Sequence, residues 1–363
     1  MEPEELQRRL RILFDLIEQG KMNFGSVPRT IAALQKVRRL PDGSFDLTTV
    51  ESPVRALCLV VDEMIQPEPP PADYETLDEL PTVTLPKVRK RRSSENDFLR
   101  DLVEAANVVR QYLVLVAGLW PARPLDRLLR GILMGHMVRV FKLYDSMMLL
   151  VVEHRGEIAP ILSRVLIDTV INLRYLLRHP SDEEVGKYIQ ASLAYEKKLM
   201  EEVQSRMRQR PQPLPIELSM LGGIEETFRR VGVDPASITA REWRGASMLQ
   251  KAREAGLEVL YEFGFRPASH QVHGTWHDLE FYHLEEKDGQ YRPETRFSPP
   301  RPQVVEMASV ASLETSIAYL DFVVPGTDAD EMKDRLQELL EWFVEMGHQH
   351  ERWSRRRTSR PRR

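Results

Sequence analysis

Apolar residues recur every three or four positions over most of this 363-residue chain, on a background of charged side chains. This period places them on one face of an α-helix, so the pattern predicts a bundle of amphipathic helices. The runs at 125–152 and 157–177 show it clearly. Between two short runs, the turn dipeptide Asp288-Gly289 predicts a β-hairpin over about 280–296. The sequence therefore predicts an all-α, multi-helix bundle with a small β-hairpin insertion.

Several helix boundaries have recognisable signals. Ser94 precedes Asp97 by three residues, and Ser181 precedes Glu184 by three, the spacing of a capping box at a helix start. A further helix is predicted from Thr239, and we expect Gly264 to end it.

Changes in composition divide the chain into four parts. Residues 1–66 have helical periodicity and are predicted to form an N-terminal helical module. Residues 67–93 combine an acidic, proline-rich block with a basic run, a composition that cannot offset the entropy of ordering and predicts a linker. Residues 94–350 form the predicted helical core domain. Residues 351–363 form a predicted disordered basic tail.

The net charge of −4 argues against a uniformly basic nucleic-acid-binding protein, but the charge is unevenly distributed. The segment from Arg352 to Arg363 has seven arginines and no acidic residue. This composition indicates contact with a polyanion such as RNA through Arg355–Arg363, or a solvated tail with no specific partner.

The remaining composition restricts the class of protein. The single cysteine, Cys58, excludes an internal disulfide and a thiolate-rich zinc site. The longest apolar run, 112–120, is too short to cross a bilayer, and the N-terminus has no apolar signal region. We expect a cytoplasmic protein with no membrane contact and no cofactor.

The candidate chemistry is concentrated in Phe265–Leu279, FRPASHQVHGTWHDL. This stretch contains Arg266, Ser269, His270, His273, Trp276, His277 and Asp278. Histidines at this density could bind a metal, but no standard zinc spacing is matched. They could equally lie on a helix face with ordinary hydrogen-bond partners.

Metal-independent RNA cleavage needs fewer groups than a metal site. Histidine can transfer a proton near neutral pH, and arginine holds a phosphate through two parallel hydrogen bonds. Arg266 and His273 supply this pair as R-x6-H. Because Pro267 disfavours α conformation in the residue before it, Arg266 is predicted to lie just before the helix that carries His273.

A second polar group lies in the predicted helix 157–177. Arg164, Asp168 and Asn172 are spaced by four residues and therefore share one helix face. Such a ridge is usual for a solvated face, and it could also form one wall of a polar pocket.

The two segments together resemble a family of proteins. FRPASHQVHGTW is similar to the pattern aromatic-Arg-x-x-Ser-x-x-x-His-Gly-Ser of the bacterial domain of unknown function 5677. RVLIDTVINLRYLL is similar to that family's Arg-x-x-x-Glu-x-x-x-Asn helix. The resemblance covers roughly residues 95–285. Asp168 stands where the family has glutamate, and Thr275 where it has serine.

That family in turn distantly resembles the HEPN superfamily of all-α nucleases, whose R-x4-6-H motif is a metal-independent ribonuclease site assembled across a homodimer. The resemblance implies that Arg266 holds the phosphate, His273 transfers the proton and Asp168 orients them. Supporting positions are Arg164, Asn172, Ser269, His270 and His277. The implied function is a ribonuclease or RNA-binding protein of stress or phage defence. A non-enzymatic helical scaffold with a structural polar network is the main alternative, and a histidine-rich metal site is the third.

Overall fold

The computed structural model describes residues 3–18, 36–40, 42, 44–50, 54, 58, 80, 85, 92, 94–238, 243 and 247–358. The chain divides into two compact units, Met1–Thr76 and Leu77–Arg363. The predicted linker at 67–93 lies almost entirely outside the described residues. The same is true of a predicted N-terminal boundary at residue 66 and of the predicted helix start at Thr239.

The first unit is built on helix α1, Pro3–Glu18. Its leucines at 6, 10 and 13 recur at helical spacing and are buried in one small apolar cluster. The Gln7 amide group fixes this helix to the chain at Phe45: its Nε2 donates to the Phe45 carbonyl over 2.6 Å, and its Oε1 accepts from the Phe45 amide over 2.9 Å. A short 3-10 turn, Leu47–Thr49, follows.

The second unit is all-α apart from one hairpin, as predicted. Its first helices are α2 Glu95–Gly118, α3 Arg127–Val152, α4 Ala159–Arg178, α5 Asp182–Arg208 and α6 Pro215–Val231. After a 3-10 turn at Pro235–Ser237 come α7 Met248–Ala255, α8 Glu258–Leu260, a π-helical turn Tyr261–Phe265 and α9 Arg266–His273. The chain continues with α10 Trp276–Asp278, a π-helical turn Leu279–His283, β1 Leu284–Lys287 and β2 Gln290–Pro293. Two long helices follow, α11 Pro302–Val323 and α12 Asp330–Thr358.

Helix α11 lies at the centre of this unit and packs against α2, α3, α4 and α12. Many buried positions of α11 are alanine, serine or threonine. These small side chains permit several helices to approach α11 closely. Tyr144 of α3 and Ser309 of α11 share a buried hydrogen bond of 2.7 Å between their hydroxyl oxygens. Helix α4 also packs against α3, α7 and α9, and so positions the candidate site.

Local sequence signals account for several boundaries. Ser94 and Asp97 form the predicted capping box in both directions, and the Ser181 side chain accepts from the amide of Glu184 at the start of α5. Strands β1 and β2 pair antiparallel through the predicted turn. Asp288 and Gly289 both have positive φ, 55° and 73°, as a two-residue hairpin turn of this type requires.

The region before the candidate site differs from the prediction. Gly256, with φ of 72°, ends α7, whereas Gly264 ends nothing and lies inside the π-helical turn. A Cβ at position 264 would meet Met307 Sδ at 2.5 Å and Ile167 Cδ1 at 2.8 Å. Gly264 is therefore required for close packing rather than for helix termination.

The basic C-terminal segment also differs from the prediction. Helix α12 continues as far as Thr358, so the arginines up to Arg357 are helical, and residues 359–363 lie outside the described part. An ion pair between Arg355 and Glu351, one helical turn apart, supports this extension. Within the described residues, no helix has the length and apolarity needed to cross a membrane.

Candidate functional site

Helix α4 carries the polar ridge beside its buried apolar stripe. Arg164, Asp168 and Asn172 are half-buried and occupy successive turns of the same face, as their spacing predicts. The Asn172 Nδ2 group donates to Asp168 Oδ1 over 3.1 Å. Asp168 and Asn172 are therefore bonded to each other, and the ridge points towards neighbouring helices rather than forming a solvated face.

Lys251 of α7 extends this row. Its Nζ donates to Asn172 Oδ1 over 3.3 Å and lies 3.4 Å from the centre of the Trp243 ring. Trp243 Nε1 in turn donates to Glu184 Oε1 of α5 over 2.8 Å. Lys251 is only 6% exposed, so its charge is held inside the protein by an amide oxygen and an aromatic face.

The electrostatics of the ridge follow from burial and from three nearby cations. Burial raises the pKa of the Asp168 carboxyl, while the charges of Arg164 and Lys251 act in the opposite direction. A weaker contribution of the same sign comes from Arg139 of α3. Burial also lowers the pKa of Lys251 to about 8, against the attraction of Asp168.

The helix that carries the R-x6-H pair is continuous through its proline. Arg266 has φ −65° and ψ −49°, so it is α-helical and is the first residue of α9. The predicted position of Arg266 before the helix is wrong. The wider π-helical turn immediately before Arg266 accommodates Pro267, which cannot donate to the preceding turn, without ending the helix.

Arg266 and His273 are both exposed on α9. The Arg266 Nη1 group donates to Glu262 Oε2 over 2.9 Å, one turn earlier. His273 makes no hydrogen bond to any described residue, and neither residue contacts Asp168 by a hydrogen bond or an ion pair in that part of the chain. The structure thus places the predicted phosphate-binding and proton-transferring groups on the surface and Asp168 in the interior.

Ser269 connects the two regions. Its hydroxyl donates to the Phe265 carbonyl over 3.0 Å and accepts from Arg164 Nε over 3.0 Å. The Arg164 guanidinium also lies 4.4 Å from the centre of the Phe265 ring. Arg164 and Ser269 therefore join α4 to α9 and support the helix that carries Arg266 and His273.

The other two histidines of the stretch, His270 on α9 and His277 on α10, are also exposed. His270 Nδ1 and Thr275 Oγ1 share a hydrogen bond of 3.0 Å, and the rings of His270 and His277 lie 5.4 Å apart in an edge-on arrangement. His283 and the buried Asp278 form a separate pair at 3.5 Å. Among the residues that the structure describes, no group of three or more histidine, cysteine or acidic side chains could hold a metal ion.

An exposed stripe runs along the helical segment from α8 through α9. Val259 and Phe263 are 72% and 77% exposed, the Arg266 side chain is 62% exposed, and His270 and His273 are also exposed. Arg266, His270 and His273 are spaced by four and then three residues on α9, the alternating spacing of a helix-pairing seam, and Val259 and Phe263 precede them across the π-helical turn. Large apolar side chains at this exposure indicate an interaction surface.

Sequence reasoning missed the partners of the ridge. Lys251, Trp243, His136 and Arg139 all lie outside the two motifs that carry the resemblance, 164–177 and 265–276. One signal was present: Lys251 shares the helix side of the buried Ala252 and Ala255, where a lysine is unusual.

The family comparison gives one match. Residues 130–291 match the model of a family of unknown function, DUF5677. The match contains both polar segments and every candidate residue, and it confirms the resemblance seen in the sequence. Neither curated proteins nor solved structures give a match.

Proposed function

We propose that the part of this chain that matches the DUF5677 family model, residues 130–291, carries a metal-independent ribonuclease site on the exposed face of α9. The protein would act on single-stranded RNA in the cytoplasm, in stress or phage defence, as the HEPN resemblance implies. The observation that carries the proposal is that Arg266 and His273 are exposed on one helix two turns apart. His273 has no described protein partner that would compete for its ring nitrogens.

The chemistry follows from these groups. Arg266 holds the non-bridging phosphate oxygens and stays charged throughout. His273 takes the proton from a ribose 2′-hydroxyl, whose oxygen then attacks phosphorus. The bond from phosphorus to the 5′-oxygen breaks, and His270 protonates the leaving oxygen. The products are a 2′,3′-cyclic phosphate and a 5′-hydroxyl. Arg266 has to exchange its Glu262 partner for the substrate.

A single copy holds the two groups far apart. Seven residues of α-helix advance about 10 Å, which is more than one phosphate spans. We therefore place the site between two copies of the chain. If two α9 helices pair antiparallel about a two-fold axis near Ser269 and His270, Arg266 of one copy faces His273 of the other, and the reverse. The exposed Val259 and Phe263 continue this seam and would be covered by the partner.

The first test measures cleavage. We expect the full chain to cleave a single-stranded RNA in the presence of EDTA and to leave a 2′,3′-cyclic phosphate. Arg266→Ala and His273→Ala should each abolish cleavage. Arg253→Ala is the matched control, because Arg253 is an exposed, ion-paired arginine on the neighbouring helix α7. An inactive wild type, or a double variant as active as the wild type, refutes the ribonuclease.

The second test determines whether each site is formed by residues from two copies of the chain. Mixing the inactive Arg266→Ala and His273→Ala chains produces dimers in which one of the two sites has both groups intact. About half of the dimers are mixed, so about a quarter of the wild-type activity should return. No recovery, despite subunit exchange shown by light scattering of differently tagged chains, would place the whole site in one copy.

The basic end of α12 is a proposed RNA contact. Arg352 pairs with Glu345 and Arg357 lies over the Trp353 ring, so part of this charge is already engaged within the helix. Removing residues 359–363 removes three further arginines. RNA binding should then weaken, and the dependence of log K on log salt should become shallower by about 0.7 for each lost phosphate contact. An unchanged salt dependence excludes the tail.

A helical scaffold remains the second candidate, and the interior ridge favours it. The Arg164 to Ser269 and Lys251 to Asn172 bonds fasten α4 to α9 and α7, as a structural network would. This function predicts no cleavage by the wild type, together with a lowered melting temperature when the network is broken.

A further inference from the structure

Three cations on and beside the ridge have no ion-pair partner among the residues that the structure describes. Arg139, Arg164 and Lys251 come from α3, α4 and α7, and we refer to them together with Asp168 as the polar junction. Within the described part of the chain, none of the three has a carboxylate oxygen within 4.0 Å. Asp168 is near enough for its pKa to respond to all three charges, but it forms no ion pair with them.

Each cation is instead held by a neutral oxygen. Arg139 Nε donates to Thr169 Oγ1 over 3.1 Å, in the same way as Arg164 to Ser269 and Lys251 to Asn172. The two arginines use only Nε in these bonds, so their Nη groups keep their donors. Lys251 is buried and Arg164 is half-buried, and charges removed from water are normally paired, because an uncompensated charge is expensive in a low-dielectric interior. Three cations around one carboxylate leave an excess of positive charge at the junction.

A second observation points to a missing ligand. His136 lies one turn before Arg139 on α3 and is only 9% exposed, yet neither of its ring nitrogens has a hydrogen-bond partner. Its ring packs edge-on against Tyr188 of α5, with 5.5 Å between ring centres. Buried polar groups are almost always satisfied in native structures. The charges of Arg139 and Lys251 both act on this imidazole, so His136 lies near the polar junction.

The junction also has access to solvent. Arg139 is exposed and lines a cleft of about 420 Å³ along α3, together with Lys142 and Ser146. Lys142 likewise has no ion pair with any described residue. The cleft therefore presents further positive charge beside Arg139, the one junction residue that lines it.

We propose that the polar junction binds a phosphate group, which the guanidinium groups of Arg139 and Arg164 hold and the charge of Lys251 stabilises from behind. The arginines offer paired N–H donors that match a phosphate, and their neutral partners fix them without neutralising them. The Asn172 side chain donates to Asp168 Oδ1 and accepts from Lys251 Nζ, so its amide lies between the carboxylate and this cation. The site is separate from the α9 face and does not depend on ribonuclease activity.

The test is a titration of the full chain with inorganic phosphate, adenosine 5′-monophosphate and adenosine, at constant ionic strength, by calorimetry. We expect both phosphate compounds to bind and adenosine not to bind. Equal affinities identify the free anion as sufficient, whereas tighter binding of the monophosphate identifies a nucleotide. Binding of neither phosphate compound overturns the proposal.

Variants then locate the site. Arg139→Gln and Arg164→Gln should each raise the Kd about tenfold, the effect of losing one charged hydrogen-bond partner. Arg130→Gln is the matched control, since Arg130 is on the same helix but stacks on Trp120. Because Arg139 is exposed, its variant should fold normally even where Arg164→Gln does not. Unchanged affinity in Arg139→Gln refutes the site.

The Arg266→Ala, His273→Ala double variant separates this inference from the proposed ribonuclease. Phosphate binding should be retained there. Binding that is lost in this variant but kept in Arg139→Gln belongs to the α9 face, which overturns the polar junction and leaves the ribonuclease standing.

Discussion

Arg164 Nε and Ser269 Oγ are 3.0 Å apart, and their hydrogen bond joins α4 to α9. The two residues are 105 positions apart in the chain and lie in the two segments that carry the resemblance to the family. Through this bond Arg164 supports α9 from the interior, while Arg266 and His273 face outwards from the same helix.

Ser269→Ala should therefore destabilise the protein by about 1–2 kcal/mol, because half-buried Arg164 loses its acceptor. The free energy of unfolding in urea measures this effect. Ser205→Ala, at an exposed position of α5, is the control and should change stability little. Equal stability of the two variants would mean that the bond contributes nothing to holding α9.

Gly264 gives a prediction about the π-helical turn. Gly264→Ala should destabilise by about 1–3 kcal/mol, because its Cβ would press on Met307 and Ile167 in the core. Gly222→Ala on α6 is the matched control: nothing lies within 4 Å of its Cβ, so the better helix former should stabilise by about 0.5–1 kcal/mol. Thermal unfolding of both variants checks the opposite signs. A neutral Gly264→Ala would show that this region can move apart.

The elements that the sequence predicted well are those with local causes. Apolar period, the Ser94 cap and the Asp288-Gly289 turn each act within a few residues, and each appears in the structure. The course of the chain through Pro267 has no such local cause. It depends on the packing of Gly264 against α4 and α11, which is a tertiary contact.

The candidate site divides in the same way. The spacing of Arg164, Asp168 and Asn172 correctly predicted one shared helix face. It could not predict that Lys251 continues the row, because Lys251 approaches from a helix about 80 residues later, and the contact exists only after folding. Sequence alone also did not decide whether the Asp168 side chain faces solvent or the neighbouring helices, and in the structure it faces the helices.

His136 predicts a loss of stability in mild acid. Burial, assisted by the charges of Arg139 and Lys251, lowers its pKa from 6.5 to about 4. Below pH 6.5 the unfolded chain takes up a proton that the folded chain refuses, so stability is full above pH 6.5 and falls as the pH drops towards 4. The linked loss approaches about 3 kcal/mol. Urea unfolding between pH 7.5 and 4.5 should show it.

His136→Gln removes this titration and should flatten the acid side of the stability curve. His348→Gln, at an exposed position, should leave the wild-type slope unchanged. The raised pKa of Asp168 makes its contribution to stability change with pH in the opposite direction. Because Asp168 is present in the wild type and in both variants, the difference between their stability curves isolates His136. Parallel curves for the wild type and His136→Gln would contradict the buried, unpartnered imidazole.

Glu306 of α11 predicts the opposite dependence. Burial, with a further contribution from the charge of Glu351, raises its pKa from 4.5 to about 7. Its carboxyl lies against Gly347 of α12, where any Cβ would collide with it. Between pH 4.5 and 7 the folded chain holds a proton that the unfolded chain has released. Stability contributed by the neutral acid is therefore present below pH 4.5 and is lost as the pH rises through 7.

Glu306→Gln keeps the shape of the side chain and removes its charge, so it should be more stable than the wild type at pH 8, by about 2–3 kcal/mol, and nearly equal to it at pH 5. Melting temperatures of both proteins at the two pH values measure this. Glu351→Gln should reduce the loss of stability between pH 5 and pH 8 without abolishing it, because burial is the larger cause of the raised pKa of Glu306. If Glu306→Gln gains nothing at pH 8, water reaches the carboxylate and α11 and α12 are less tightly packed at Gly347 than the structure indicates.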